Sequence, residues 1–261
     1  MHFKEETLSL QTPNKKIYSS YVYEIRDLYF TKKAKAVLSK KFECKNQEFL
    51  KVDWRANQRV MQMLHKTKQI WISKYITGFL PIGVNMERRD EWKQTHCPRC
   101  ACNIETRHHI MKCTETTSVE MFQKGLEDMQ EWLCKMDTPK ELTEEILLNT
   151  TLWHAGLPPI PVHESILSEQ MNIGRWDHFM EGRIHVAVVS HLNKHYEDMG
   201  SRRTGELWAS QLIVKIWNLF YFKAWELRNK FVHNRTEKTK ISRQREDLQH
   251  RVRVEYGDNQ R

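Results

Sequence analysis

Three observations on this 261-residue chain predict a mostly α-helical fold. Only nine Gly and seven Pro punctuate the chain, so turn signals are few, while nine Trp and ten Phe supply large apolar side chains for a core. Apolar residues recur at helical spacing through several long stretches. Between two such stretches lies one compact run of cysteine and histidine, from Cys97 to Cys113. The expected architecture is therefore a helical bundle with a small module inserted between basic N-terminal helices and a C-terminal helical region. The length suffices to bury a core in one large or two small domains.

Residues 1–16 lack periodicity and contain Pro13, so they read as a loose arm; Tyr18 to Lys41 suits an amphipathic helix, although Tyr21-Val22-Tyr23 suits a strand equally well. Residues 1–52 form a basic N-terminal arm on this reading. Asp53 is a good N-cap ahead of Trp54, and Val60, Met63, Leu64, Trp71 and Tyr75 continue one apolar face. On a continuous helix, Arg55, Arg59 and Lys66 cluster on the opposite side. Gly78, Pro81 and Gly83 turn the chain into a loop, where Arg88, Arg89 and Lys93 extend the basic surface toward the cysteines. Residues 53–115 thus comprise a basic helix, a loop and the inserted module.

A helix from Ser118 to Met136 carries Met121, Phe122, Leu126, Met129, Trp132 and Leu133 at helical intervals. Thr138-Pro139-Lys140-Glu141 opens the next as a capping box. Leu157-Pro158-Pro159-Ile160-Pro161 reads as an extended linker and a possible boundary between segments 116–157 and 158–233. A short helix follows, then a longer one from about Trp176 to Tyr196, ended by Gly200. From about Gly205 to Val232 the apolar residues surround the helix axis, as expected of a central bundle member buried by its neighbours. The tail 234–261 is charged and poor in large apolar residues, so it reads as a solvated helix or as disordered.

Cys97-Pro98-Arg99-Cys100, His109 and Cys113 form a C-x2-C-x8-H-x3-C array. A tight turn lets the first two thiolates face one ion, and helical spacing stacks His109 and Cys113 on adjacent turns. Three thiolates and one imidazole fill a tetrahedral zinc shell with no open position, the pattern of a structural Zn2+ site. His108 is a rival ligand, but it is five residues from Cys113 and would face away on a helix. The spacing also differs from the C-x2-C-x4-H-x4-C retroviral knuckle, so base recognition does not carry over from that module.

All of the net charge of +9 lies in residues 1–96, which hold nineteen Lys and Arg against ten Asp and Glu. Basic surface beside a zinc module is an electrostatic footprint for phosphate backbone. Within the module, Arg99, Arg107 and Lys112 are expected to project and join Arg55, Arg59, Lys66, Arg88, Arg89 and Lys93 as contacts to RNA or DNA. No apolar run approaches the roughly 20 residues of a membrane span. The N-terminus lacks the layout of a secretory signal, so an intracellular, reducing compartment is expected.

The stretch from Trp71-x2-Lys74 through Gly78, Leu80, Pro81, Gly83, the CPRC turn, Glu105-Thr106 and the final H-x3-C resembles a known region. It is similar to the zinc-binding segment downstream of the polymerase domain in non-LTR retrotransposon proteins, most of all the diatom and protist versions. Ile173-Gly174, Trp176, Phe179 and Gly182-Arg183 resemble a later segment of that family, and Trp225-x2-Arg228-Asn229-x3-His233 its ending. The resemblance covers most of the chain from Asp53 to His233. It departs where Arg175 separates Gly174 from Trp176, and where Asn234 follows His233 in place of a frequent Gly. It implies a non-catalytic region whose partners are nucleic acid and a retroelement polymerase. In keeping with that, the chain holds no Tyr-x-Asp-Asp-like element, no phosphate-binding G-x4-G-K-[ST] loop and no G-x-S-x-G turn.

Two other chemistries compete. Arg228 and His233 also resemble the R-x4-6-H motif of HEPN ribonucleases, although five residues of regular helix point them about 140° apart. Helix-end bonds made by Arg228 and Asn229 are the structural alternative. A zinc-stapled scaffold that binds a partner polypeptide is the third reading. His191-x3-His195 lacks the Glu of H-E-x-x-H and reads as exposed, and Asp177 with Glu181 as ordinary surface acids.

Overall fold

The computed structural model describes residues 46–91, 95–101, 103–160 and 166–233, with the short pieces 10–11, 16–17, 36–37, 39–40, 245, 248–249 and 252. The Tyr18–Lys41 segment, Lys93, Cys102 and the 234–261 tail fall largely or wholly outside these residues. Within the expected N-terminal arm, Leu10–Gln11 and Lys16–Ile17 pair as a minimal antiparallel ladder.

The other elements named among the described residues are helices, with isolated bridges at Val52–His185 and His96–Ile104. In chain order the helices are α1 (Asn46–Leu50), α2 (Trp54–Met63), α3 (Lys66–Thr77), α4 (Gly83–Arg88), α5 (Arg107–Met111), α6 (Thr116–Lys135) and α7 (Lys140–His154). They continue with α8 (Ile166–Asn172), α9 (Asp177–Met180), α10 (Val186–Asp198), α11 (Gly205–Ile216) and α12 (Lys223–His233), the last two joined by a π-helical turn at Trp217–Phe222. One core draws on α2, α3 and every helix from α5 to α12, including both sides of the 157–160 linker.

The α11–π–α12 rod is the axis of this core. Trp208, Ala209, Leu212, Ile213 and Ile216 are 0 % exposed, and full burial of such side chains is worth roughly 1.5–3 kcal/mol each for the larger ones. Helices α2 and α10 pack on α11, α6 packs on the π turn, and both α5 and α6 pack on α12. Close approach depends on two small residues. At Gly125 a Cβ would meet the Phe220 ring at 2.7 Å, and at Gly205 it would meet the Val189 carbonyl oxygen at 2.1 Å.

Two expected helices and one expected loop differ. The run after Asp53 is two helices. Asp53 caps α2 as expected, accepting from Arg55 N and Ala56 N, but Leu64 leaves the helix in extended conformation. His65 then caps α3, and the Gln69 amide donates to the open Leu64 carbonyl at 2.8 Å. Lys66 therefore starts a new helix and does not share a stripe with Arg55 and Arg59. The supposed loop after Gly78 contains α4, so Arg88 closes a helix and Arg89 caps it. The expected helix from Trp176 to Tyr196 is split at Gly182, which adopts φ of 86° against Ile213 and Trp217.

One cap also shifts. Helix α7 begins behind Pro139 with no side-chain cap, because the buried Thr138 hydroxyl accepts the Trp208 indole N–H at 2.9 Å.

Candidate metal centre

A short hairpin and a one-turn helix bring the ligands together. His96 and Ile104 pair across the hairpin, with Cys97 N donating to Asn103 O at 2.7 Å and Glu105 N to Thr95 O at 2.6 Å. Ala101 N closes the turn on Cys97 O, and Ala101 takes φ of 58° to make room for it. Thr106 then caps α5 by accepting from His109 N at 3.1 Å, which fixes the His109 backbone one turn before Cys113.

The ligand atoms of Cys97, Cys100, His109 and Cys113 all lie within 4.8 Å of one another. Cys97 Sγ to Cys113 Sγ is 3.8 Å, and Cys100 Sγ to His109 Nε2 is 3.4 Å. Zinc bonds of about 2.3 Å to sulfur and 2.0–2.1 Å to nitrogen set tetrahedral edges of about 3.8 Å and 3.6 Å respectively. The measured edges fit that shell.

Electrostatics point the same way. The Cys97 thiol is held far below the ordinary range by the hydrogen bond from Cys113, against burial, while the Cys113 thiol is pushed up by the same contact. His109 is raised by its hydrogen bond to Cys97, again against burial. Sulfurs this close share a proton unless a cation replaces it. His108 stands outside the cluster: its Nε2 accepts from Arg107 at 3.1 Å, leaving Nδ1 to face Asp177 at 3.5 Å. The four residues form a closed cluster suited to a structural metal, with no position for substrate.

The cations of the module do not project, which corrects the expectation for Arg99, Arg107 and Lys112. Arg99 is 7 % exposed and donates to Ile110 O at 2.7 Å and Ser118 Oγ at 3.2 Å, serving the open C-terminal end of α5. Arg107 donates to Ile76 O at 3.1 Å, at the end of α3, and lies 3.8 Å from buried Glu181. Lys112 lies 4.7 Å over the Trp153 ring, with burial holding its pKa below the usual range. Helix ends and aromatic faces inside the bundle claim all three. Arg55, Arg59, Lys66, Arg88 and Arg89 remain exposed, with Arg89 paired to Glu91 at 3.3 Å.

Glu105 is the residue whose role the sequence did not announce. Only 1 % exposed, it accepts from Gly83 N at 2.7 Å and takes both Arg228 Nε at 2.8 Å and Nη2 at 3.0 Å. The pair ties hairpin, α4 and α12 into one joint. Its only advance signal is an acid directly before the Thr106 cap. The same pair answers the ribonuclease reading: the Arg228 donors go to Glu105, Pro81 O and Asn229 Oδ1, not toward His233. Beside this joint a cleft of about 330 Å³ opens between the hairpin, α4 and α12.

Other sequence candidates are structural. Asp177 accepts the Trp153 indole N–H at 2.9 Å, and Glu181 pairs with buried Arg183. His191 is exposed, and His195 Nε2 meets Asp137 O at 2.8 Å.

Fold and site together define a helical-bundle protein that carries a buried Cys/Cys/His/Cys cluster beside its core. Comparison with protein-family models, curated proteins and solved structures gives no match. Among the described residues no helix is long and apolar enough to cross a membrane, and four cysteines are free.

Proposed function

We propose that this chain is a non-catalytic, zinc-stabilised nucleic-acid-binding region of the kind found beside the polymerase of retroelements. The observation that carries it is the closed ligand shell set into the bundle beside the exposed Arg88 and Arg89. Three thiolates favour zinc over harder divalent ions, and full coordination leaves no site for an activated water. Zinc fixes the hairpin and α5, and α5 in turn orders the ends of α3 and α12. Arg88 and Arg89 are exposed next to that joint, while the exposed Arg55 and Arg59 lie near Glu206 at the opposite end of the α11–π–α12 rod, and Lys66 is exposed at the start of α3. Such cations attract phosphate backbone without reading sequence. In a retroelement this would hold template near the polymerase; the motif resemblance supports that partner.

Zinc content and fluorescence anisotropy with RNA and DNA at several salt concentrations test the reading. One zinc per chain is expected, with affinity falling steeply as salt rises. Reversing Arg88 and Arg89 to Glu is expected to reduce the salt slope by about 1 per lost phosphate contact. Zinc-loaded protein without salt-sensitive binding refutes the nucleic-acid role. Capture of a polypeptide partner that is indifferent to nuclease and to those reversals would instead select the scaffold reading.

A further inference from the structure

We propose that the cleft between the metal hairpin and α12 receives one base of a single-stranded nucleic acid, with the adjoining phosphate held at its mouth. This deepens the proposed function and rests on it.

The cleft is about 330 Å³, at the small end of ligand pockets. Met86, Pro98, Trp225 and Val232 supply apolar walls from three separate elements. Its polar floor is the Glu105–Arg228 pair, whose charges cancel across bonds of 2.8 and 3.0 Å. A charged group gains little from a neutralised floor, whereas a flat, neutral, polar ring suits it. Asn229 adds direction. Its Oδ1 accepts from Arg228 Nη1 at 3.4 Å, which turns the amide so that Nδ2, without a partner among the described residues, is the free donor for a ring nitrogen or carbonyl.

The mouth has the opposite character. His96 and His233 line it, and both are exposed imidazoles with N–H groups to offer. Arg88 and Arg89 follow Met86 on the solvent side of the same helix end. Neutral walls inside and donors with cations outside match a nucleotide, whose ring is neutral and whose phosphate is anionic. A duplex hides its bases in the stack, so the occupant must come from a single strand.

The test measures binding of a fluorescein-labelled RNA strand of mixed sequence, and of the same strand annealed to its complement, to the full chain. Val232→Trp fills the cleft and Asn229→Ala removes the donor; thermal melts and zinc content confirm that each variant folds. Both are expected to weaken single-strand binding about tenfold while leaving duplex binding unchanged, Val232→Trp by shutting out about one stacked base and Asn229→Ala by removing one hydrogen bond to it. A 4-thiouridine strand is expected to crosslink to the peptides containing Met86, Pro98 or Trp225. Variants that bind the single strand like wild type, or crosslinks confined to other peptides, overturn the proposal. If salt-sensitive binding persists in that case, only the base pocket fails; if zinc-loaded protein binds neither probe, the nucleic-acid reading fails with it. Displacement of the strand by micromolar mononucleotides would assign the cleft to free nucleotides and also overturn the proposal.

Discussion

Substituting Glu105 by Gln keeps the side-chain shape and removes the charge that the joint is built around. Glu105 is 1 % exposed and the Arg228 side chain 11 %. The amide also puts an NH2 group in place of Oε1, which accepts from Arg228 Nε, or of Oε2, which accepts from both Gly83 N and Arg228 Nη2, so at least one donor loses its acceptor. Breaking one side of a buried pair costs about 3–5 kcal/mol. Arg228 keeps Pro81 O and the face of Trp225, 4.9 Å away, as alternative partners. The lower end, about 3 kcal/mol, is therefore expected, or a fall in Tm of about 6–12 °C for a domain of this size. Thermal and urea unfolding measure it. The cycle with Arg228→Met isolates the coupling, which is expected to be about 2 kcal/mol because either single change already breaks the joint. A Tm within about 2 °C of wild type, or strictly additive variants, refutes the reasoning.

Chelating the metal, or changing Cys100 to Ser, should abolish hydrogen-exchange protection at the Cys97, Ala101 and Glu105 amides while α6 and α11 stay protected; uniform protection after chelation would show that the metal does not hold the hairpin. The Cys100 change should cost more metal affinity than the roughly 10–100-fold of an outer-shell substitution, read by competition with a zinc indicator. His154 stacks on Phe122 at 3.7 Å, and burial, with Lys112 nearby, lowers its pKa to about 4. Its folded pKa lies below the unfolded value of about 6.5, so its contribution is complete above that pH and is lost as the pH falls toward 4, on the order of 1–2 kcal/mol given its partial exposure. His154→Phe should remove that part of the acid loss, and an unchanged pH profile counts against it. Gly205→Ala should cost about 3 kcal/mol or more, since the new Cβ meets the Val189 carbonyl oxygen. Gly78→Ala, at φ of 74° in open space, should cost only about 1 kcal/mol; denaturation curves that rank the two in reverse contradict the packing at the α10–α11 contact.

The parts of the fold legible in the sequence are those where one local signal suffices. Phe122, Met129 and Leu133 face the core as their spacing demands, and Trp208, Leu212, Ile213 and Ile216 of α11 are buried, although Leu207 on the opposite side of that helix is 45 % exposed, so burial does not run all round it. The cysteine and histidine spacing marks the four residues that the structure clusters. What escaped depends on partners far along the chain or on caps without a strong signature. Neither Gly nor Pro marks the break at Leu64–His65; an imidazole cap and the Gln69 amide make it. Gly182 did stand in the sequence, but only Ile213 and Trp217, some thirty residues on, show why it turns there. Arg99, Arg107 and Lys112 look like surface cations until the carbonyls of Ile110 and Ile76 and the ring of Trp153 are in place around them.

The π turn at Trp217–Phe222 sets the phase of everything after it. A π turn holds one residue more than the α turn it replaces, so the following helix is advanced by about 100° relative to an uninterrupted one. That offset directs Arg228 onto Glu105 and Val232 toward the cleft. Deleting one residue here, Asn218 for instance, would let the rod relax into plain α-helix with α12 in its present phase, whereas inserting one residue between the π turn and Arg228 would swing α12 out of alignment by about 100°, with every residue of the joint still in the chain. The clasp between metal hairpin and bundle is thus specified by a count of residues as much as by their kind, and a single-codon insertion far from any ligand would undo it.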